Sequence, residues 1–239
     1  MHLHPEKAKQ QLDHVEEHLQ SSDFIKDIVI GMSDGLTVPF ALAAGLSGAV
    51  DSAALVVTAG LAEIAAGSIA MGLGGYLAGR TEIDHYSAEE SREYYEVDHR
   101  KEDEIEETTE IFVNMGLSEK TVQLAVEELA HDKDKWVKFM MKYELDLEKP
   151  NPKRARNSAF TICISYIVGG IIPLCPYFFV THPKDGLLYS AIITLVCLFG
   201  FGYFKSKMTG QPLFKGAIKV MAIGAIAAAT AFGIAKLFS

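Results

Sequence analysis

The sequence predicts an all-α membrane protein: five transmembrane helices per protomer, with a three-helix cytosolic insert between helices two and three. Two observations carry this. Five stretches supply the roughly 20 apolar residues that a bilayer crossing needs. The charged residues, 22% of the 239, crowd into 1–27 and 80–156 instead of spreading evenly. Four segments follow: a polar cytosolic N-terminus at 1–22, transmembrane helices one and two within 23–79, the acidic insert at 80–156, and helices three to five within 157–239.

The apolar stretches are 24–50, 53–79, 158–180, 187–204 and 214–238. A two-residue link at 51–52 makes the first pair an antiparallel hairpin, and a short link at 181–186 does the same for the third and fourth. Residues 1–22 are polar, so no cleavable leader is expected and the first span itself directs insertion. Lys and Arg gather on the cytosolic side of membrane proteins. Here they flank the N-terminus (Lys7, Lys9, Lys26), the insert (Lys153, Arg154, Arg156) and the loop after helix four (Lys205, Lys207, Lys215, Lys219). That places these segments in the cytosol and the C-terminus in the lumen. Gly31 and Gly35, and Gly75 and Gly79, form GxxxG pairs. Such pairs let helix backbones approach closely, either within one bundle or between protomers.

Within the insert, Ser87 and Glu90 match a capping box, so a helix either starts afresh there or continues from helix two. The stretch 114–118 reads as a turn with Ser118 as an N-cap. A second helix spans 119–130 with Val122, Leu124, Ala125 and Leu129. A third spans about 132–147 with Trp136, Phe139, Met140 and Tyr143, before Pro150 and Pro152 close the region.

A net charge of −9 argues against nucleic acid, which requires a basic face, and suits cations. Cys163, Cys175 and Cys197 lie in apolar runs without CxxC spacing, which reads as buried free thiols and not as a zinc site or disulfides. Residues 82–110 carry 13 acids against Arg92, Arg100 and Lys101. Like charges three or four apart on a helix repel, so a helix this acidic wants cations. Glu93 and Glu96 form one ExxE pair, and Glu104 and Glu107 form another 11 residues on. On an unbroken helix that is close to three turns, which would align both pairs on one stripe. Paired carboxylates on helices are how bundles present oxygen ligands to two-metal centres, and divalent cations including ferrous iron accept them. Tyr94, Tyr95, Val97, Ile105, Ile111 and Phe112 interleave with the acids and give the segment something to pack. Met140 and Glu144 share a helix face, although a methionine alone reads as core filler.

Three acids fall within the apolar spans. Asp34 lies near mid-membrane, where a carboxylate is expensive unless paired, hydrated or bound to a cation. Pro39 cannot donate to the Gly35 carbonyl, so a kink would leave that oxygen free beside Asp34. Asp27, seven residues earlier on the same face, is either a second step on one path or a marker of the helix end. Glu63, Gly67 and Met71 follow at i, i+4 and i+8 on helix two. A desolvated carboxylate favours its neutral form and a bound cation its charged form, so metal and proton compete for one site.

The run from Asp23 to Phe40, the Gly/Ala-rich run from Glu63 to Tyr76, the acidic insert and three further helices together resemble the vacuolar iron transporter family, plant-type, over nearly the whole chain beyond residue 20. The resemblance implies a dimer of five-helix protomers. It implies a proton-coupled exporter, not an enzyme and without a cofactor or catalytic residues, in a vacuolar membrane. Its cargo would be Fe2+, with Mn2+, Co2+ or Zn2+ as possible alternatives. It also implies that Asp34 and Met71 form the intramembrane metal site with Glu63 nearby, and that Asp27 lies on the cytosolic approach. By the same likeness Glu93, Glu96, Glu104, Glu107, Met140 and Glu144 belong to a cytosolic metal-binding domain. The alternative class is a membrane-anchored di-iron oxidase, or a metal-storage or sensor protein. The Glu-x-x-His spacing of di-iron bundles occurs at Glu82 and His85, Glu96 and His99, and Glu128 and His131, so spacing alone leaves storage, delivery and oxygen chemistry all open.

Overall fold

A computed structural model describes residues 23–238. Every regular element among them is helical: α1 Asp23–Ala49, α2 Ala53–His99, α3 Lys101–Asn114, α4 Glu119–Ala130, α5 Lys133–Tyr143, α6 Arg154–Leu174, a 3-10 turn Cys175–Phe179, α7 Pro183–Met208 and α8 Leu213–Phe238. The cytosolic N-terminal segment expected at 1–22 lies outside the described residues. Five helices are long and apolar enough to cross a membrane: α1, α2, α6 with its 3-10 extension, α7 and α8. Their outer faces carry Leu61, Ile69, Leu73, Ile164, Val196 and Ile226, all exposed. A row of large apolar side chains this extensive is untenable in water and is the ordinary surface of a bundle solvated by lipid.

The chain divides into two compact units: residues up to Gly72 with those from Phe160 onward, and Leu73–Ala159. In the first unit, small residues set the spacing of the helices. A Cβ on Gly31 would strike the Ile162 carbonyl of α6, and one on Gly35 would strike the backbone of Tyr166. Gly60 and Gly67 of α2 face Leu174 and Tyr166 in the same way, so α6 packs against both α1 and α2. Gly45 and Gly48 admit Ala231 and Phe232 of α8, and Gly202 of α7 admits Ala217. In the second unit Gly79 is backed by Ala155. Of the two roles open to the GxxxG pairs, Gly31, Gly35 and Gly79 take packing within the chain. The Ala53 amide donates to the Thr181 carbonyl at 3.3 Å, tying the α1–α2 link to the α6–α7 link at one end of the bundle. The α7–α8 turn therefore lies at the other end.

Of the two readings open at Ser87, continuation forms: α2 runs unbroken through Ser87 to His99, and a break separates α2 from α3 at Arg100 (φ −130°, ψ 38°). The insert thus comprises the end of α2 and three shorter helices. Residue Gly116, with φ +84°, turns the chain from α3 toward α4, which begins after Ser118 as expected. Ser118 meets Thr121 Oγ1 at 2.8 Å and makes no capping bond. Helix α5 ends at Tyr143, well before the prolines, and Asp132 caps its start by accepting from the Lys135 amide at 3.2 Å. The core of this unit is Tyr86, Val97, Trp136, Val137, Met140 and Met141. All three cysteines are free thiols, but Cys175 is exposed on the outer face and Cys163 and Cys197 are only partly buried.

Candidate functional site

The break at Arg100 builds the first site. On a straight helix, 11 residues would separate Glu93 from Glu104 by about 16 Å. Instead the chain turns back after His99, and Glu93, Glu96 and Glu104 each bring one carboxylate oxygen within 4.8 Å of the others. The single-stripe expectation therefore fails, and the group is built from two helices: Glu93 and Glu96 come from α2, Glu104 from α3. Oxygens on opposite sides of a divalent ion stand about 4–5 Å apart, so these three match the span of one ion's shell.

Burial makes the cluster chemically unusual. Glu93 is 1% exposed and Glu104 3%. Glu93 Oε2 and Glu104 Oε2 have no hydrogen-bond partner among the described residues. Burial first, then the charges of Glu144 and Glu96, pushes the Glu93 carboxyl up to about 7. Burial and then Glu93 and Glu107 do the same to Glu104, also to about 7. Burial and Glu107 raise Glu144 as well. Glu107 and Glu144 are thus near enough to act electrostatically on the core pair, although both are exposed. Orphaned carboxylate oxygens held together out of water suit a hard divalent cation, which supplies both missing charge and missing ligation.

Below the acids, Trp136 Nε1 donates to Thr108 Oγ1 at 2.7 Å. Thr108 Oγ1 lies 2.7 Å from the Glu104 carbonyl and 3.3 Å from Met140 Sδ. This network fixes α3 on α5 and places Met140, fully buried, beneath Glu104's helix. Two features escape a reading of ExxE pairs alone. Glu89, with 20% of its side chain exposed, acts on Glu144; its place four before Glu93 and seven before Glu96 was the available signal. Arg92 reaches Glu89 at 2.8 Å, Glu96 at 3.6 Å and Glu93 at 3.7 Å, where it stands as the cluster's counter-ion.

The second site lies among the spans. Tyr166 of α6 donates to Glu63 Oε1 of α2 at 2.5 Å, while Glu63 Oε2 has no partner among the described residues. Asp34 of α1 is half-buried and close enough to act electrostatically on Tyr166. Gly67, one turn beyond Glu63, leaves the space the Tyr166 ring fills. Helices α1, α2 and α6 therefore meet at two carboxylates and a phenol. Met71 is half-buried two turns beyond Glu63, and Asp27 is buried two turns before Asp34. A lone tyrosine in an apolar span, whose hydroxyl must find a partner, was the sequence signal for Tyr166.

Residues 25–236 match the VIT family. The chain belongs to that family. It is 49% identical to Vacuolar iron transporter 1 of Arabidopsis thaliana over 235 residues, 98% of this chain and 94% of that protein. It is also 49% identical to Vacuolar iron transporter 2 of Oryza sativa subsp. japonica over 232 residues, 97% of this chain and 94% of that one. Identity to Protein CCC1 of Saccharomyces cerevisiae is 41% over 223 residues, covering 89% of this chain and 68% of that protein. The VIT-family match takes in both sites, the carboxylate cluster and the three-helix meeting point.

Proposed function

We propose that this VIT-family chain is a proton-coupled antiporter that carries ferrous iron from the cytosol into the vacuole, with Mn2+, Co2+ or Zn2+ as further cargo. Relatives named vacuolar iron transporters, about half identical over almost the whole chain, support iron and the vacuole. One observation carries the coupling: Asp34 and Glu63, on different spans, both act on Tyr166 in an apolar bundle. A carboxylate withdrawn from water holds either a proton or a cation, and exchanging one for the other is the elementary step of antiport.

In this reading Asp34 and Met71 take the metal, Glu63 and Tyr166 hold the proton, and Asp27 lies on the approach. The insert collects metal on Glu93, Glu96 and Glu104, with Glu107, Glu144 and Met140 completing the ligand set. The N-terminus and the insert face the cytosol, the C-terminus faces the lumen, and the protein works as a homodimer. The described cluster is three carboxylates with no histidine, unlike the Glu-x-x-His ligand sets of di-iron bundles, which supports capture and release of metal over oxygen activation. The test is Asp34→Ala in the purified full chain. The variant folds, binds metal through its insert and moves no iron; flux near that of the wild type would remove Asp34 from the path.

A further inference from the structure

A second, oppositely charged site stands at the α7–α8 turn. Lys205 near the end of α7 and Lys215 and Lys219 in the first turns of α8 line a cleft of about 420 Å³, joined by Thr209 and Gln211 of the turn. That volume falls within the range of small-molecule clefts, ~300–1,000 Å³. No carboxylate lines it, and none of the three lysines has an ion pair with a described residue. Several other lysines of this acidic chain do pair. Lys26, Lys133, Lys135, Lys142 and Lys149 each find an Asp or Glu within 4 Å.

A rule that places lysines at cytosolic helix ends accounts for their number. It does not account for three of them converging on one concave surface. Lys215 and Lys219, four apart, share a helix face and repel one another. The close fit of Gly202 against Ala217 and of Gly216 against Ser206 holds α7 and α8 together, so the ammonium groups have limited freedom to separate. The start of α8 opens on the same cleft through Lys215 and Gly216, bringing the positive end of the helix dipole to it. The turn also joins the ends of two candidate membrane spans.

We propose that this cleft binds a phosphate-bearing anion, supplied by an anionic phospholipid headgroup or by a soluble phosphate. The site is separate from the carboxylate clusters and takes the opposite charge.

The experiment is native mass spectrometry and thermal unfolding of the full chain with three probes: phosphatidylcholine alone, phosphatidylcholine containing phosphatidic acid, and inorganic pyrophosphate without anionic lipid. The comparison is wild type against the triple variant Lys205→Gln, Lys215→Gln, Lys219→Gln. Lys184→Gln, at the other end of α7, is the control. The expected result is a phosphatidic acid adduct and a rise in Tm in the wild type and the control. Both are reduced about tenfold or more in the triple variant and retained when the three lysines become arginine. A response to pyrophosphate with none to phosphatidic acid keeps the site and assigns it a soluble ligand. Should the triple variant unfold, Lys215→Gln alone reads the same loss at smaller scale. Equal phosphatidic acid adducts in wild type and variants, with no response to pyrophosphate, would overturn the proposal.

Discussion

Glu93 and Glu104 are carboxylates placed where, without metal, the folded chain prefers them protonated. Each titrates near 4.5 in the open chain and is pushed up to about 7 in the fold, mainly by burial. Between those values the folded state holds more protons than the unfolded state, so metal-free stability is highest at acid pH and falls as pH rises from about 4.5 through about 7. Thermal unfolding of metal-free protein should therefore give a lower Tm at pH 8 than at pH 5. Glu104→Gln should remove about half of that difference, gaining on the order of 1–3 kcal/mol at pH 8, while losing metal affinity. Added Mn2+ should raise the Tm more at pH 8 than at pH 5, because metal binds the deprotonated form. A Tm that climbs steadily with pH in the metal-free protein would show that these carboxylates are not held as described.

Arg92 makes the complementary case. Its guanidinium occupies the charge position a metal would take, against three carboxylates at 2.8–3.7 Å. It is half exposed, so its attraction is screened and worth roughly 1 kcal/mol or less. Arg92→Gln should tighten divalent-metal binding several-fold by calorimetry. Weaker binding would instead mean that Arg92 holds the carboxylates in register.

At the scale of elements, the five spans were legible because length and apolarity alone define a bilayer crossing. All five observed helices overlap the stretches read from the sequence. The insert was less legible. Nothing in the run from His99 to Lys101 resembles a helix stop: no glycine and no proline occurs there. The chain breaks at Arg100 because the packing of Trp136, Thr108 and Met140 draws α3 against α5, and tertiary contact overrides local propensity. The acids stand out in the sequence, but the geometry that unites Glu93 with Glu104 arises from that long-range packing, which no helix periodicity contains. Tyr166 was missed for a similar reason, since its role depends on which helices touch. Those contacts are set by glycines, and they give a direct test. Gly35→Ala presses a methyl into the Tyr166 backbone, which has little room to yield, and should cost about 1–3 kcal/mol or prevent folding. Gly74→Ala, whose added methyl meets nothing within 4 Å, should be neutral or slightly stabilising. Equal Tm values for the two variants in detergent would contradict the α1–α6 packing.

At the scale of the whole molecule, the chain combines two units that handle charge in different ways. One is a bundle of membrane spans with carboxylates in its apolar interior; the other is a helical insert that concentrates carboxylates beyond what its own cations neutralise. The proposed cycle would have metal gathered by one set of oxygens and exchanged for protons at another. The most direct measurement is Fe2+ uptake by liposomes containing the purified chain, with and without an acidic interior, while external pH is recorded. The account predicts uptake that accelerates with the inward-acid gradient and protons that leave the interior as iron enters, both lost in Asp34→Ala. Iron that binds to the protein without crossing the bilayer under any gradient, or that crosses at a rate indifferent to pH, would contradict it.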